Sequence, residues 1–187
     1  LKKQSNDDLD VAFIEYLYSH VEGDTRGMMA ALRRGLGTVP GTAPEMHKYV
    51  LPILGNNAPR WKERAYYLVG SLFAWHQIPW KPAKEKEFSN LGTSLAMLKT
   101  EENDDALERR FIALLNSHAD DLHVHLRQVI RLLKDVRINW LQLLKDLEYW
   151  ESEKRYKQKQ WAKEFWTHEQ KSREPEAMPQ DKTGEGS

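Results

Sequence analysis

Residues 59–77, PRWKERAYYLVGSLFAWHQ, carry apolar side chains on nearly every side of a helical wheel. Ala65, Leu68, Leu72 and Trp75 form one stripe and Tyr66, Val69 and Phe73 another, so a helix here has almost no face left for water. Such a helix belongs at the centre of a bundle, covered by other helices on several sides. Pro59 suits its first turn, where a missing backbone N–H is no loss.

The flanking segments supply the cover. Val11, Ile14, Leu17 and Val21 recur at helical spacing over 8–21, with Ser5 or Asn6 as the cap. Asp24 caps a short helix to Arg34, which Gly35 and Gly37 end. GLGTVPGTAP reads as a loop, and Pro44 opens a helix to Leu54. Beyond Gln77, IPWKPAKEKEFSN breaks the pattern with two prolines and a charge run, and is expected as an exposed loop over 78–90. Helices are predicted again over 89–99, 104–116 and 120–134, each opened by Asn or Asp. A last, long helix is expected from Asn139 to about Trp166. Its apolar positions Trp140, Leu143, Leu144, Leu147 and Trp150 give way to ESEKRYKQKQ, a half expected to be solvated or covered by a partner. The polar stretch 167–187 reads as a disordered tail after a folded domain of residues 1–166. No strand of useful length and no internal repeat is found, so the fold class is all-α, with about eight helices.

Charge is unevenly placed. The chain is neutral overall, yet Arg26 to Arg64 holds seven bases (Arg26, Arg33, Arg34, Lys48, Arg60, Lys62, Arg64) against two acids (Glu45, Glu63). A protein that coats nucleic acid by bulk attraction is basic throughout, because its affinity comes from neutralised phosphates. This one offers a confined strip, suited to a polyanion or to plain solvation. Two later helices add to it. Arg109 and Arg110 follow Glu108 on a helix whose core face is Leu107, Phe111, Leu114 and Leu115. After Asp120, Leu122, Leu126, Val129, Ile130 and Leu133 point inward, while His123, Arg127, Arg131 and Lys134 share one face, as a helix lying along a phosphate backbone requires.

Other chemistries find little support. Cysteine is absent, which removes disulfides, thiolate nucleophiles and Cys-ligated zinc. His118, His123 and His125 do not make a ligand set, since i and i+2 on a helix point about 200° apart. RRGLGTVPG has the glycines of a phosphate loop without its lysine or preceding strand, and the acidic pairs Asp7-Asp8, Asp104-Asp105 and Asp120-Asp121 sit where helix caps belong. The reading is of a protein that is not an enzyme and takes no cofactor, metal or small-molecule substrate. No run approaches the ~20 apolar residues of a spanning helix, and the opening LKKQSNDDLD lacks a signal core, so a trimmed cytoplasmic chain without membrane contact is expected.

One ordered set of segments is informative as a whole: LRRGLG, a Pro-rich turn, YVLP, NNAPRWKERAYYLVGSLFAWH, LGTSLAML, LERRFIALLNS, LHVHLRQVIRLLK and INWLQLLKDLEYW. Over roughly Phe13 to Arg155 it resembles the CasB family, the small subunit of the type I-E CRISPR surveillance complex Cascade. The resemblance implies a non-catalytic, all-helical subunit of two small bundles, here at about 1–100 and 101–166. It implies assembly with other Cascade subunits and a second copy of itself on a crRNA-bound complex. Basic residues of that family steady the target strand and the displaced strand of the R-loop through backbone contacts, while guide pairing reads the sequence.

Carried over by position, Arg33 and Arg34 match the family's arginine pair, Arg60 the basic residue after its Asn-x-Pro-like turn, Arg109 and Arg110 its Glu-Arg-Arg-Phe-like segment, and Arg127 the arginine of its Leu-Arg segment. Lys154 and Arg155 are equivalents in a region of poorer correspondence. Lys62, Arg64, Arg131 and Lys134 join the candidate set from helical spacing alone. A competing reading is an all-α adaptor that touches only protein, with Trp61, Trp80, Trp140, Trp150, Trp161 and Trp166 as interface anchors.

Overall fold

The helix expected over 59–77 runs from Arg60 to Trp75 and forms the axis of the molecule, as a computed structural model describing residues 6–21, 26–55, 57–76, 78, 89–100 and 102–173 shows. In chain order the helices are α1 (Asn6–Ser19), α2 (Arg26–Arg33), α3 (His47–Leu54), α4 (Arg60–Trp75), α5 (Leu91–Ala96), α6 (Asp104–Asn116), α7 (Leu122–Leu132), α8 (Trp140–Glu148) and α9 (Tyr156–Arg173). A single 3-10 turn, Pro44–Met46, leads into α3. Among the described residues there is no strand, so the all-α class holds.

α4 is buried from Ala65 to Ala74 without a break. It is covered by α2, α8, α3 and α7, as its all-round apolar surface demands. Aromatic contacts fix these neighbours: Phe13 of α1 stacks on Tyr66 at 4.5 Å, and Phe73 meets Trp140 of α8 edge-on at 5.6 Å. Pro59 caps α4 in extended backbone, as its position suggested.

The second packing centre lies at the other end of the chain. α5 is only six residues long, yet all six are buried, because it lies against α9. Asn90 starts it with a capping box: its Oδ1 accepts from the Thr93 N–H at 3.2 Å, while Thr93 Oγ1 faces the Asn90 N–H. Gly92 allows the approach, since a Cβ there would collide with the backbone carbonyl of Trp161. Phe111 of α6 closes the cluster against Phe165 at 4.2 Å. Packing therefore crosses residue 100 in both directions, with α5 on α9 and α8 on α1 and α4.

The long terminal helix expected from 139 to 166 is instead two helices, α8 and α9, separated by 149–155. Trp150 drops into the core in this gap and donates from Nε1 to the Ser117 carbonyl at 3.1 Å. Arg155 adopts a left-handed φ of 47° before the chain turns into α9. The distal half is not simply solvated, for Gln158, Trp161 and Phe165 are buried. Asp146 of α8 locks the two together, accepting from Trp161 Nε1 at 2.6 Å and pairing with Lys157 at 2.7 Å. α9 continues to Arg173, so 167–173 is helix rather than tail. Residues 174–187 lie outside the described residues, as do the proposed caps Ser5 and Asp24 and positions 79–88 of the expected loop.

Candidate nucleic-acid interface

α4 and α7 run side by side in the same direction, and this sets the geometry of the basic surface. At their starts Arg64 reaches Asp120, which precedes α7; at their ends His76 Nε2 donates to the Leu133 carbonyl at 2.6 Å. The inner face of α7, Leu122, Leu126, Val129 and Ile130, is buried as its spacing predicted. Arg127 and Arg131 are therefore exposed on its outer face, about 6 Å apart along the axis, and Lys134 is exposed just beyond them in the turn that follows, because the helix expected over 120–134 ends at Leu132. None of the three has an ion pair with a described residue.

The loop after α2 comes to meet this row. A Cβ on Gly37 would strike the Arg127 guanidinium, and with φ at 81° the position suits glycine on both counts. Arg33 donates from Nε to the Ala74 carbonyl at 2.6 Å, which holds the end of α2 against the last turn of α4. Its neighbour Arg34 is exposed but pairs with Glu45 at 2.8 Å. So the fold gathers Arg33, Arg127, Arg131 and Lys134 around the C-terminal end of α4, from segments nearly a hundred residues apart.

The other candidates are placed differently. Arg60 stands exposed at the N-terminus of α4, about 22 Å along the helix from Trp75. Arg109 and Arg110 are exposed on α6, which packs against α7. Lys154 is exposed in the α8–α9 turn, and Arg155 beside it caps the end of α6 by donating to the Leu115 carbonyl. Arg64 is only 18% exposed and already holds Asp120.

Lys62 leaves the set altogether. It is 3% exposed, with its ammonium 3.3 Å from both Asp10 of α1 and Glu148 of α8. Tyr66 donates to the same Asp10 at 2.7 Å. Helical spacing placed Lys62 among exposed bases, but α1 and α8 close over that side of α4 and turn it into a core cation. The acids that cover it come from remote segments, which no local pattern reveals.

The structure also revises the tryptophans. Trp140, Trp150 and Trp161 are core residues and Trp166 packs on Phe111 and Phe165, while Trp80 lies outside the described residues. Trp61 is 37% exposed, which leaves the adaptor reading one of its anchors in the open. Trp75, expected in the inner stripe of α4, is 38% exposed. It stands at the mouth of a cleft of about 500 Å³ lined by His76, Ile78, Ile130, Arg131 and Lys134. Sequence reasoning missed it because periodicity carries the stripe inward to its end, whereas Trp75 borders the cleft while Phe73, Ala74 and His76 around it stay buried. Among the described residues no group of three His, Asp or Glu could hold a metal ion, and no helix is long and apolar enough to cross a membrane.

Comparison with known proteins adds the context. Residues 28–166 match the family model described as CRISPR-associated protein Cse2. A CRISPR-associated protein Cse2 from Thermus thermophilus is 34% identical over 157 residues, spanning 79% of this chain and 86% of the relative. The crystal structure of CasB from Thermus thermophilus has a TM-score of 0.71 at 29% identity, covering 84% of this chain and 97% of that one. CasB from M. ruber gives 0.70 at 30% identity, with 88% and 96% covered. A chain of a CRISPR RNA-guided surveillance complex gives 0.72 at 26% identity, with 89% and 98% covered.

Proposed function

The chain belongs to the CRISPR-associated Cse2 family, and from that premise we propose that it is a non-catalytic subunit of a crRNA-guided DNA surveillance complex in the cytoplasm. It holds the strands of an opened target by contacts to their phosphates. The likeness to a chain of a CRISPR RNA-guided surveillance complex supports assembly with other subunits. A second copy in the same complex is part of the proposal.

The observation that carries this reading is the row Arg127, Arg131 and Lys134, three exposed cations without an ion-pair partner among the described residues, on α7 and the turn after it, flanked by Arg33. Several bases elsewhere are neutralised or buried: Arg34 has Glu45, Arg64 has Asp120 and Lys62 has two carboxylates, while Arg60, Arg109, Arg110 and Lys154 stand exposed on other faces. An uncompensated row on a neutral protein favours a polyanion there. Contacts of this kind read no bases. That suits a complex in which guide pairing selects the sequence and protein contacts tip a nearly balanced strand exchange. The clustered ionisable groups Asp10, Lys62, Tyr66 and Glu148 are buried and join helices, which supports a structural rather than a catalytic role.

The test is the lifetime of the R-loop on a matched target, with complexes assembled from wild-type subunit or from one carrying Arg127→Ala, Arg131→Ala and Lys134→Ala. The expected outcome is a shorter lifetime with unchanged guide binding and assembly. An equal lifetime in a correctly assembled complex overturns the reading.

A further inference from the structure

We propose that the cleft between the end of α4 and the last turns of α7 receives one unpaired nucleobase of the displaced DNA strand, stacked on Trp75 with its phosphate on Arg131 and Lys134. This deepens the strand-holding reading above and rests on it.

The walls of the cleft select the occupant. Its volume of about 500 Å³ is in the range of sites that enclose a small ligand. Trp75 is the last residue of α4 and presents an indole that is 38% exposed, although the turn before it is wholly buried. Ile78 and Ile130 add apolar surface, and Arg131 and Lys134 complete the lining. An aromatic face, an apolar wall and two exposed cations suit a nucleotide, whose base is flat and apolar on its faces and whose phosphate is anionic. An aliphatic side chain from a neighbouring protein would gain nothing from the cations.

His76 ties the two sides of the cleft together. Its Nε2 donates to the Leu133 carbonyl, because a carbonyl only accepts, so in the neutral ring Nδ1 is an acceptor. That Nδ1 is buried and has no hydrogen-bond partner among the described residues. In an R-loop the guide and target bases are paired with each other. The displaced strand has no pairing partner, so its base faces are free.

The experiment scans single abasic sites along the displaced strand of a matched target and measures R-loop dissociation from complexes with wild-type or Trp75→Ala subunit. One sensitive position per bound copy is expected, where loss of the base speeds dissociation on the order of tenfold. Trp75→Ala speeds it by a similar factor on the intact target and adds nothing at the sensitive position, while Trp75→Phe behaves as wild type. If Trp75→Ala fails to assemble, Trp75→Leu takes its place, keeping apolar bulk without a stacking face, and the same non-additivity is required of it. A scan with no sensitive position, or Trp75 effects that add to every abasic site, overturns the proposal. So does non-additivity found instead with abasic sites in the target strand. If the Arg127, Arg131 and Lys134 substitutions shorten the R-loop lifetime while the Trp75 variants do not, the base site falls and strand holding stands. If neither has an effect, both fall.

Discussion

Glu148 Oε1 on α8 lies 3.3 Å from Lys62 Nζ on α4, with both side chains 3% exposed. Asp10 of α1 is equally close to the same ammonium, so two buried carboxylates compete for one cation. Burial, and then the Asp10 carboxylate, push the Glu148 carboxyl up to about 7 against the opposing pull of Lys62. One ionic point thus joins the three helices that enclose the central core.

Stability should follow the Glu148 proton. Its folded pKa lies above its ordinary value of 4.5, so its contribution is fully present below about pH 4.5 and is lost as pH rises through about 7. When Glu148 is protonated, Lys62 and Asp10 remain as a neutral buried pair; when it ionises, the cluster carries a net negative charge. The melting temperature of wild type relative to Glu148→Gln should therefore fall by several degrees between pH 5 and pH 8. A difference that stays flat across that range would show that Glu148 does not titrate there.

Removal of Lys62 should unfold rather than disarm the protein. Lys62→Ala leaves Asp10 and Glu148 buried without a cation, a change that costs about 3–5 kcal/mol in comparable buried pairs. Arg110→Ala, on the exposed face of α6, should change stability by less than about 0.5 kcal/mol. Urea denaturation of the two variants separates a core cation from a surface one. Equal midpoints would contradict the burial of Lys62.

These two lysine and arginine positions mark what the sequence can and cannot reveal. Local signals were legible: Pro59 caps α4, α6 spans 104–116 as its Asp pair and apolar spacing predict, and Arg127 and Arg131 share the outer face of α7 as their spacing of four predicts, though the helix ends before Lys134. Properties decided by remote partners were not. Lys62 has the pattern of a surface base, and only the convergence of Asp10 and Glu148 makes it a core residue. The break at 149–155 contains neither Gly nor Pro, and its charged sequence keeps helical propensity. It exists because Trp150 finds Ser117, Arg155 finds Leu115 and Trp161 finds Asp146. Trp75 is exposed between buried Ala74 and His76 because it borders an open cleft, a matter of tertiary packing that periodicity does not encode.

Gly92→Ala should test the second packing centre. The new methyl group would meet the Trp161 carbonyl, which is backbone and cannot rotate aside, so α5 and α9 must separate. Overpacking of this kind typically costs about 1–3 kcal/mol. Melting should drop, and amide exchange should accelerate in α5 and α9 before it does in α4. Wild-type melting and exchange would show that the two helices do not approach as closely as described.

The uncompensated row on α7 and the turn after it makes a quantitative prediction for the isolated subunit. Binding to single-stranded DNA should be weak, indifferent to sequence and weakened by salt, because it rests on phosphates alone. Each phosphate neutralised on a single strand contributes about 0.7 to the slope of log affinity against log salt. If Arg127, Arg131 and Lys134 each hold one, replacing all three by Ala should reduce that slope by about 2. Replacing Arg34 and Arg64, which already have Glu45 and Asp120, should reduce it far less, since a cation with a carboxylate partner has fewer counterions to release. The comparison does not depend on absolute affinity, and it reads where charge meets the strand. Equal slopes for the two variants would mean that ion pairing inside the protein does not decide which bases are available, and the α7 row would lose its claim to the phosphates.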